Sequence, residues 1–143
     1  MIYTVTLNPA IDKTIYVDNF QLDTVNRITV YRSDPGGKGI NVTKMIQNLE
    51  GESTAITILG GGTGNILESL MDEREVNKKI FTCPGETRIN TKVVDKVTNK
   101  FTDINEPGPA ISKKLIGEME DYLKATLVPG DILVLSGSVP KGV

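Results

Sequence analysis

Short runs of β-branched and aliphatic residues that alternate with segments of helical spacing constrain the fold most strongly. Residues 53–59 and 132–135 are such runs, and both follow segments whose apolar residues recur at helical spacing. Continuous apolar runs of this length are typical of strands covered on both faces, as in parallel sheets. The helical segments supply the crossover connections that parallel strands need. The sequence therefore predicts an α/β fold built on a mostly parallel sheet.

Other segments differ from these buried runs because they have polar faces and lie between turn signals. We expect them to form a separate small sheet, a lid, from strands near 13–18, 27–33 and 87–105, the last a hairpin turning at Thr98-Asn99. The remaining strands and helices are predicted at 2–7, 39–50, 53–59, 65–74, 79–82, 113–127 and 132–135, with Ser112 capping the last helix.

The length of 143 residues suits one domain. Val143 follows the last predicted strand by only a few residues, although a buried parallel strand should be flanked by further elements. We therefore expect residues 1–143 to be the N-terminal part of a longer domain.

The composition excludes several classes of function. Histidine is absent, which excludes Ser-His-Asp and Cys-His catalysis and zinc sites built on histidine. The single cysteine, Cys83, cannot form an internal disulfide, which is typical of proteins in the reducing cytoplasm, and we expect its thiol to be inert. The net charge of −2 gives no general attraction to nucleic acid or membranes, and neither a signal peptide nor a membrane span is predicted. Carboxylate, lysine, arginine and backbone-amide chemistry remain.

The segment Asp34–Asn41 is the most informative for ligand binding. Gly36 and Gly37 let a ligand approach the backbone, and the helix that follows offers free amides at its positive end. Lys38 adds a charge, and Asn41 lies about one turn into the helix. The segment lacks P-loop spacing. It predicts a cradle for a polyol or sugar phosphate, or else a glycine-rich helix start needed only for packing.

Four further residues carry functional hypotheses beside ordinary structural ones. Asp12 follows the strand break at Asn8-Pro9, where it could bind sugar hydroxyls or merely hold an Asx turn. Arg88 and Arg27 begin lid strands and could grip phosphate or simply be solvated. Ser138 follows the last strand and could bind phosphate or belong to a plain turn.

The glycine cluster at Gly60–Gly64 lies between a strand and a helix. The first strand-to-helix connection, which carries the glycines of a dinucleotide site, reads Asn-Pro-Ala-Ile-Asp here. Packing is therefore the better interpretation of the cluster, and dinucleotide binding is disfavoured.

Together these segments resemble the ribokinase-like sugar kinases of the phosphofructokinase-B type, and among them the bacterial 1-phosphofructokinases. The resemblance rests on Thr6–Asp12, Gly36–Asn41, Gly85–Asn90, Thr102–Pro109 and Leu135–Pro140, in the family's order and spacing. It implies a ribokinase-like fold of which this chain is the N-terminal part. The substrate-binding residues it implies are Asp12, Gly36, Gly37, Lys38, Asn41, Arg88, Asn90, Ser138 and Arg27.

Within that set the resemblance implies distinct roles. Asp12, Gly37, Lys38 and Asn41 match positions that contact sugar hydroxyls. Arg88 and Ser138 match positions that grip the phosphate already on the sugar. Arg27 matches a lid position that reaches toward the partner's substrate in dimers formed through the lid strands.

The resemblance also implies a reaction. The family transfers the γ-phosphoryl group of Mg²⁺-bound ATP to a sugar phosphate, here fructose 1-phosphate, giving fructose 1,6-bisphosphate, with tagatose 6-phosphate as the alternative substrate. The family's catalytic aspartate lies in a Gly-Ala-Gly-Asp-type motif that this sequence does not contain. We therefore expect no catalytic, ATP-binding or metal-binding residue within the chain, and a non-catalytic sugar-phosphate-binding module is a second hypothesis.

Overall fold

A computed structural model describes residues 1–143, which form two four-stranded sheets and three α-helices. The elements are β1 (Ile2–Thr6), β2 (Ala10–Val17), β3 (Val30–Gly36), α1 (Lys38–Asn48), β4 (Ser53–Leu59), α2 (Gly61–Asp72), β5 (Lys78–Thr82), β6 (Arg88–Asp95), β7 (Lys100–Asn105), α3 (Lys113–Thr126) and β8 (Ile132–Leu135). The predicted α/β class and the separate small sheet are confirmed. None of the three helices is long and apolar enough to cross a membrane.

The main sheet has the strand order β5-β4-β1-β8, and all of its strands are parallel. The central strand β4 is buried on both faces, because Ile56 and Ile58 pack with α3 whereas Ala55 and Leu59 pack with α1 and α2. Two apolar cores therefore lie on opposite sides of this sheet, which explains why β4 is almost uninterruptedly apolar.

The small sheet, called the lid below, has the order β3-β2-β6-β7. Strands β2 and β6 are parallel, whereas β3 and β7 pair antiparallel with them on the two outer edges. In this register Asp12 lies opposite Asp34 on one side and Asn90 on the other. Because side chains alternate along a strand, these three residues share one face of the lid.

The prediction that the last strand is buried is wrong. Ile132 and Leu135 are 56% and 71% exposed. Within residues 1–143 the strand lies at the edge of the main sheet, where only β1 pairs with it.

Three further expectations need correction. Asp12 lies inside β2 rather than in a turn after the first strand, and residues 34–36 belong to β3, beyond the predicted strand end at residue 33. Arg27 does not begin a strand, because β3 starts only at Val30 and Arg27 lies in the exposed segment before it.

Helix α2 begins at Gly61, four residues before the predicted start at residue 65. The carboxylate of Glu86 accepts hydrogen bonds from the amides of Gly62 (3.2 Å) and Thr63 (2.9 Å), and these bonds hold its pKa below the ordinary range. A Cβ atom at Gly60 would lie 2.5 Å from the carbonyl oxygen of Gly85, so close packing accounts for this glycine.

Candidate functional site

The predicted site residues, Arg27 excepted, lie where the carboxyl ends of β1 and β8 meet the start of α1 and the base of the lid. Open α/β sheets bind ligands outside the carboxyl ends of their strands. This mouth has an acceptor-lined side around Asp12 and a donor-rich corner around Arg88.

Asp12 and Asn90 form the first side. Asn90 Nδ2 donates a hydrogen bond to Asp12 Oδ1 over 3.1 Å, and Asn90 Oδ1 is buried with no partner. A side chain at Gly36 would collide with the Asp12 carboxylate, so the glycine leaves that group its place. Both polar residues line a cleft of about 630 Å³ that has no hydrophobic residue in its wall. Carboxylate and amide oxygens of this kind can accept hydrogen bonds from sugar hydroxyls.

The start of α1 forms the floor beside them. The N-cap residue Gly37 has φ 118° and no side chain with which to cap the helix, but Thr6 Oγ1 accepts from the first-turn amide of Ile40 over 3.0 Å. The left-handed conformation at Gly37 requires glycine, and a Cβ there would lie 2.7 Å from Thr6 Cγ2. First-turn amides without intrahelical acceptors remain available to a ligand.

Lys38 and Asn41 both lie in the first turn of this helix and are exposed. Lys38 is the first residue of α1, and Asn41 follows three positions later on the neighbouring side of the same turn. Both residues therefore follow the glycine pair within one turn, and no hydrogen bond joins either side chain to the other site residues. Their contact with a ligand stays a prediction.

Arg88 and Ser138 form the donor-rich corner. Arg88 Nη2 donates to the backbone carbonyl of Asn8 (3.0 Å) and to Ser138 Oγ (3.3 Å), while Nη1 donates to the carbonyl of Glu106 (3.2 Å). Arg88 Nε is buried and has no acceptor. The guanidinium is thus held in one orientation with donor capacity to spare, which suits a group that only accepts hydrogen bonds.

Asn8 and Glu106 belong to this corner but were missed as site residues. Asn8 is only 5% exposed, and its Nδ2 donates to the carbonyl of Pro107 (3.0 Å) and to Ser138 Oγ (3.3 Å). Glu106 Oε2 accepts from the amide of Ile89 over 2.9 Å, next to Arg88. Both lie in segments that carry the family resemblance, and that was the available signal.

Lys44 is a third residue that sequence reasoning missed. Its Nζ donates to the carbonyl of Pro35 over 2.7 Å, directly before the glycine pair. Burial lowers the pKa of Lys44, as does the nearby Arg74, against the opposing pull of Asp34 and Asp12. The amine therefore links α1 to the end of β3 within the wall of the same cleft.

Arg27 is not brought together with the other residues. It lies in an exposed stretch of the segment between β2 and β3, and no hydrogen bond joins its side chain to the mouth. Its role as a residue that reaches a partner's substrate stays a prediction.

The sequence pattern of the pfkB family carbohydrate kinases matches residues 5–143. The chain belongs to the pfkB family of carbohydrate kinases. The family's fold accounts for the arrangement of the main sheet and lid, since the chain superposes on phosphofructokinase-2 from Escherichia coli in complex with fructose-6-phosphate with a TM-score of 0.93, at 34% identity over 99% of this chain.

Two curated relatives carry different names. The chain is 40% identical over 139 residues to a 1-phosphofructokinase from Xanthomonas campestris, and 36% identical over 142 residues to a tagatose-6-phosphate kinase from Staphylococcus epidermidis. These alignments cover 97% and 99% of this chain but 44% and 45% of the relatives, and the structural match covers 46% of the Escherichia coli chain. The chain therefore spans about half the length of the relatives it matches.

Proposed function

We propose that the mouth binds a phosphorylated ketose and that the protein serves as the sugar-phosphate-binding part of a 1-phosphofructokinase. The observation that carries this proposal is the pairing of two unlike subsites. Asp12 and Asn90 line a polar cleft, while Arg88 and Ser138 form a corner with unused donors. A sugar phosphate has hydroxyls at one end and an acceptor-only group at the other.

The phosphate is assigned to the Arg88 corner on chemical grounds. Arginine matches phosphoryl oxygens with fixed, charge-assisted donors, and here its guanidinium is held beside the Ser138 hydroxyl. The corner lies two register positions from Asn90 along β6, because Ala10 pairs with Arg88 and Asp12 pairs with Asn90. This adjacency supports one ligand spanning both subsites.

Fructose 1-phosphate is the proposed substrate, with fructose 1,6-bisphosphate as the product. Tagatose 6-phosphate is the second candidate, because a tagatose-6-phosphate kinase is among the relatives at 36% identity. The contacts within this chain do not by themselves prefer one ketose phosphate, so the preference for fructose 1-phosphate rests on family likeness.

ATP and Mg²⁺ belong to the proposed reaction of the complete enzyme. The residues proposed within this chain act on the sugar phosphate alone: they bind its hydroxyls, orient its phosphate and hold the glycine-lined approach open.

A homodimer through the lid is also proposed, together with a cytoplasmic location suggested by the single cysteine. Val30, Tyr31, Phe101 and Ile104 on the lid strands are each more than half exposed. Apolar side chains on the outer strands of a small sheet are suited to burial against a second copy. Sedimentation analysis that finds only monomer at micromolar concentration would contradict the dimer.

A titration followed by amide NMR tests the binding proposal. Fructose 1-phosphate should shift the signals of residues 12, 37–41 and 88–90, while free fructose shifts them only at much higher concentration. Tagatose 6-phosphate and fructose 6-phosphate serve as competitors, and tighter binding of tagatose 6-phosphate would favour the second candidate. Signals that stay unmoved with every sugar phosphate would overturn the proposed site.

A further inference from the structure

Ser138 Oγ lies between two hydrogen-bond donors. Asn8 Nδ2 and Arg88 Nη2 each donate to it, both over 3.3 Å. A serine hydroxyl has two acceptor lone pairs and a single hydrogen. Two incoming bonds occupy both lone pairs, so the hydroxyl hydrogen is left to point toward a third group.

The Asn8 amide can make this contact in only one orientation. Its Nδ2 also donates to the backbone carbonyl of Pro107 over 3.0 Å, and a carbonyl oxygen only accepts hydrogen bonds. A flipped amide would set oxygen against oxygen at Pro107. Gly108 leaves room for the observed orientation, because any side chain there would collide with Asn8 Oδ1.

Arg88 presents the same polarity. Its Nη2 bonds the backbone carbonyl of Asn8 and Ser138 Oγ, its Nη1 bonds the carbonyl of Glu106, and its buried Nε has no acceptor. Arg88 therefore brings only donors and positive charge to the corner, beside the Ser138 hydroxyl hydrogen.

We propose that Asn8 is a positioning residue that makes Ser138 a hydrogen-bond donor and so makes this corner select phosphoryl groups over sugar hydroxyls. The inference rests on the proposed function, since it takes the mouth to bind a sugar phosphate. Phosphoryl oxygens accept from the Ser138 hydroxyl and carry negative charge that the Arg88 guanidinium matches, whereas the oxygen of a sugar hydroxyl can accept one bond but carries no such charge. Asn8 does not touch the ligand; it acts through Ser138 and Arg88.

The test is a selectivity ratio, the Kd for fructose divided by the Kd for fructose 1-phosphate. The ratio is measured by NMR titration for the native chain, Asn8→Ala, Ser138→Ala and the double variant, each checked for a native-like amide spectrum. Asn8→Ala should lower the selectivity ratio by about tenfold while the Kd for fructose changes little. The reason is that the Ser138 hydroxyl would no longer be held with its hydrogen toward the phosphoryl group. The selectivity ratio of the double variant should fall no further than that of Ser138→Ala alone, because both changes remove the same interaction.

Three results would overturn the inference. These are an unchanged ratio in Asn8→Ala, an equal loss of affinity for both ligands, and a double variant whose loss is the product of the two single losses. Asn8→Asp keeps the shape of the side chain but replaces the donor by an acceptor, so it should lower the ratio further; a native ratio in that variant also overturns the inference. If the native chain itself does not distinguish the two ligands, the proposed function fails instead.

Discussion

Thr87 and Gly60 form a reciprocal pair of hydrogen bonds between the lid and the main sheet. The Thr87 amide donates to the Gly60 carbonyl over 2.9 Å, and the Gly60 amide donates to Thr87 Oγ1 over 2.9 Å. Both residues are buried, and Thr87 directly precedes Arg88. This contact ties the start of β6, and with it the phosphate corner, to the end of β4.

Replacing Thr87 by Val should therefore destabilise the fold. The buried Gly60 amide would lose its acceptor, at a cost of about 1–3 kcal/mol in the free energy of unfolding. Denaturant unfolding measures this change. Thr87→Ser keeps the acceptor and is the matched control, with a smaller expected loss; a Val variant as stable as the native chain would show that the hydroxyl contributes nothing.

Arg88→Ala should raise the KM for fructose 1-phosphate of the complete enzyme by at least about tenfold, since a hydrogen bond to a charged group contributes about 1.5–3 kcal/mol. Steady-state kinetics over a range of sugar-phosphate concentrations measure it. Arg88→Lys keeps the positive charge but lacks the planar guanidinium, so its KM should lie between those of the native enzyme and Arg88→Ala. An unchanged KM would remove Arg88 from the site.

Gly36→Ala should weaken sugar-phosphate binding by about tenfold or more, because the new methyl group displaces the Asp12 carboxylate and small misplacements at a binding site are expensive. Calorimetric titration with fructose 1-phosphate measures the affinity. Gly62→Ala is the control, since nothing lies within 4 Å of a Cβ at that position. Equal behaviour of the two variants would mean that Asp12 is not constrained by Gly36.

Asp95 should make the stability of the lid depend on acid pH. It is buried and accepts hydrogen bonds from the amides of Asn19 (3.0 Å), Phe20 (3.2 Å) and Val97 (2.9 Å) and from the Thr98 hydroxyl (2.8 Å). Burial alone would raise the pKa of Asp95, but the bonds from Thr98, Val97 and Asn19 outweigh it and hold the pKa below the ordinary range.

Because the folded pKa lies below the unfolded one, this carboxylate stabilises the fold above the unfolded pKa of about 3.9, and the contribution is lost as pH falls through the folded pKa. Asp95→Asn should lower the melting temperature at neutral pH and flatten its fall in acid. Thermal unfolding from pH 7 downward measures both. Asp18→Asn removes the same charge from a neighbouring exposed residue and is the control. An equal change in melting temperature in that variant would mean that net charge, and not the hydrogen bonds of Asp95, causes the effect.

The 143-residue chain alone should not phosphorylate fructose 1-phosphate with ATP, because it contains no Gly-Ala-Gly-Asp-type motif. A coupled assay for fructose 1,6-bisphosphate measures this. Turnover by a clean preparation would contradict the assignment of catalysis to residues outside this chain. A natural reading frame that continues into such a motif favours the kinase, and one that stops here favours the binding module.

The sequence by itself predicted the α/β class, the bounds of β4 and β8 and the cap at Ser112, because hydrophobic periodicity and capping chemistry are local properties. The glycine-rich segment left two interpretations open, a ligand-binding helix start and close packing, and ligand binding there stays a prediction. The family resemblance supplied the roles of residues such as Arg88 and Ser138, which spacing alone left open.

Only the tertiary structure decided which polar side chains meet. Asn8, Arg88 and Ser138 are far apart in the chain, and their hydrogen bonds depend on the lid folding back over the ends of β1 and β8. The exposure of β8 likewise depends on its neighbours, because only β1 pairs with it within residues 1–143. Burial and polar pairing depend on which layers and strands become neighbours, and that is a property of the whole chain rather than of any one segment.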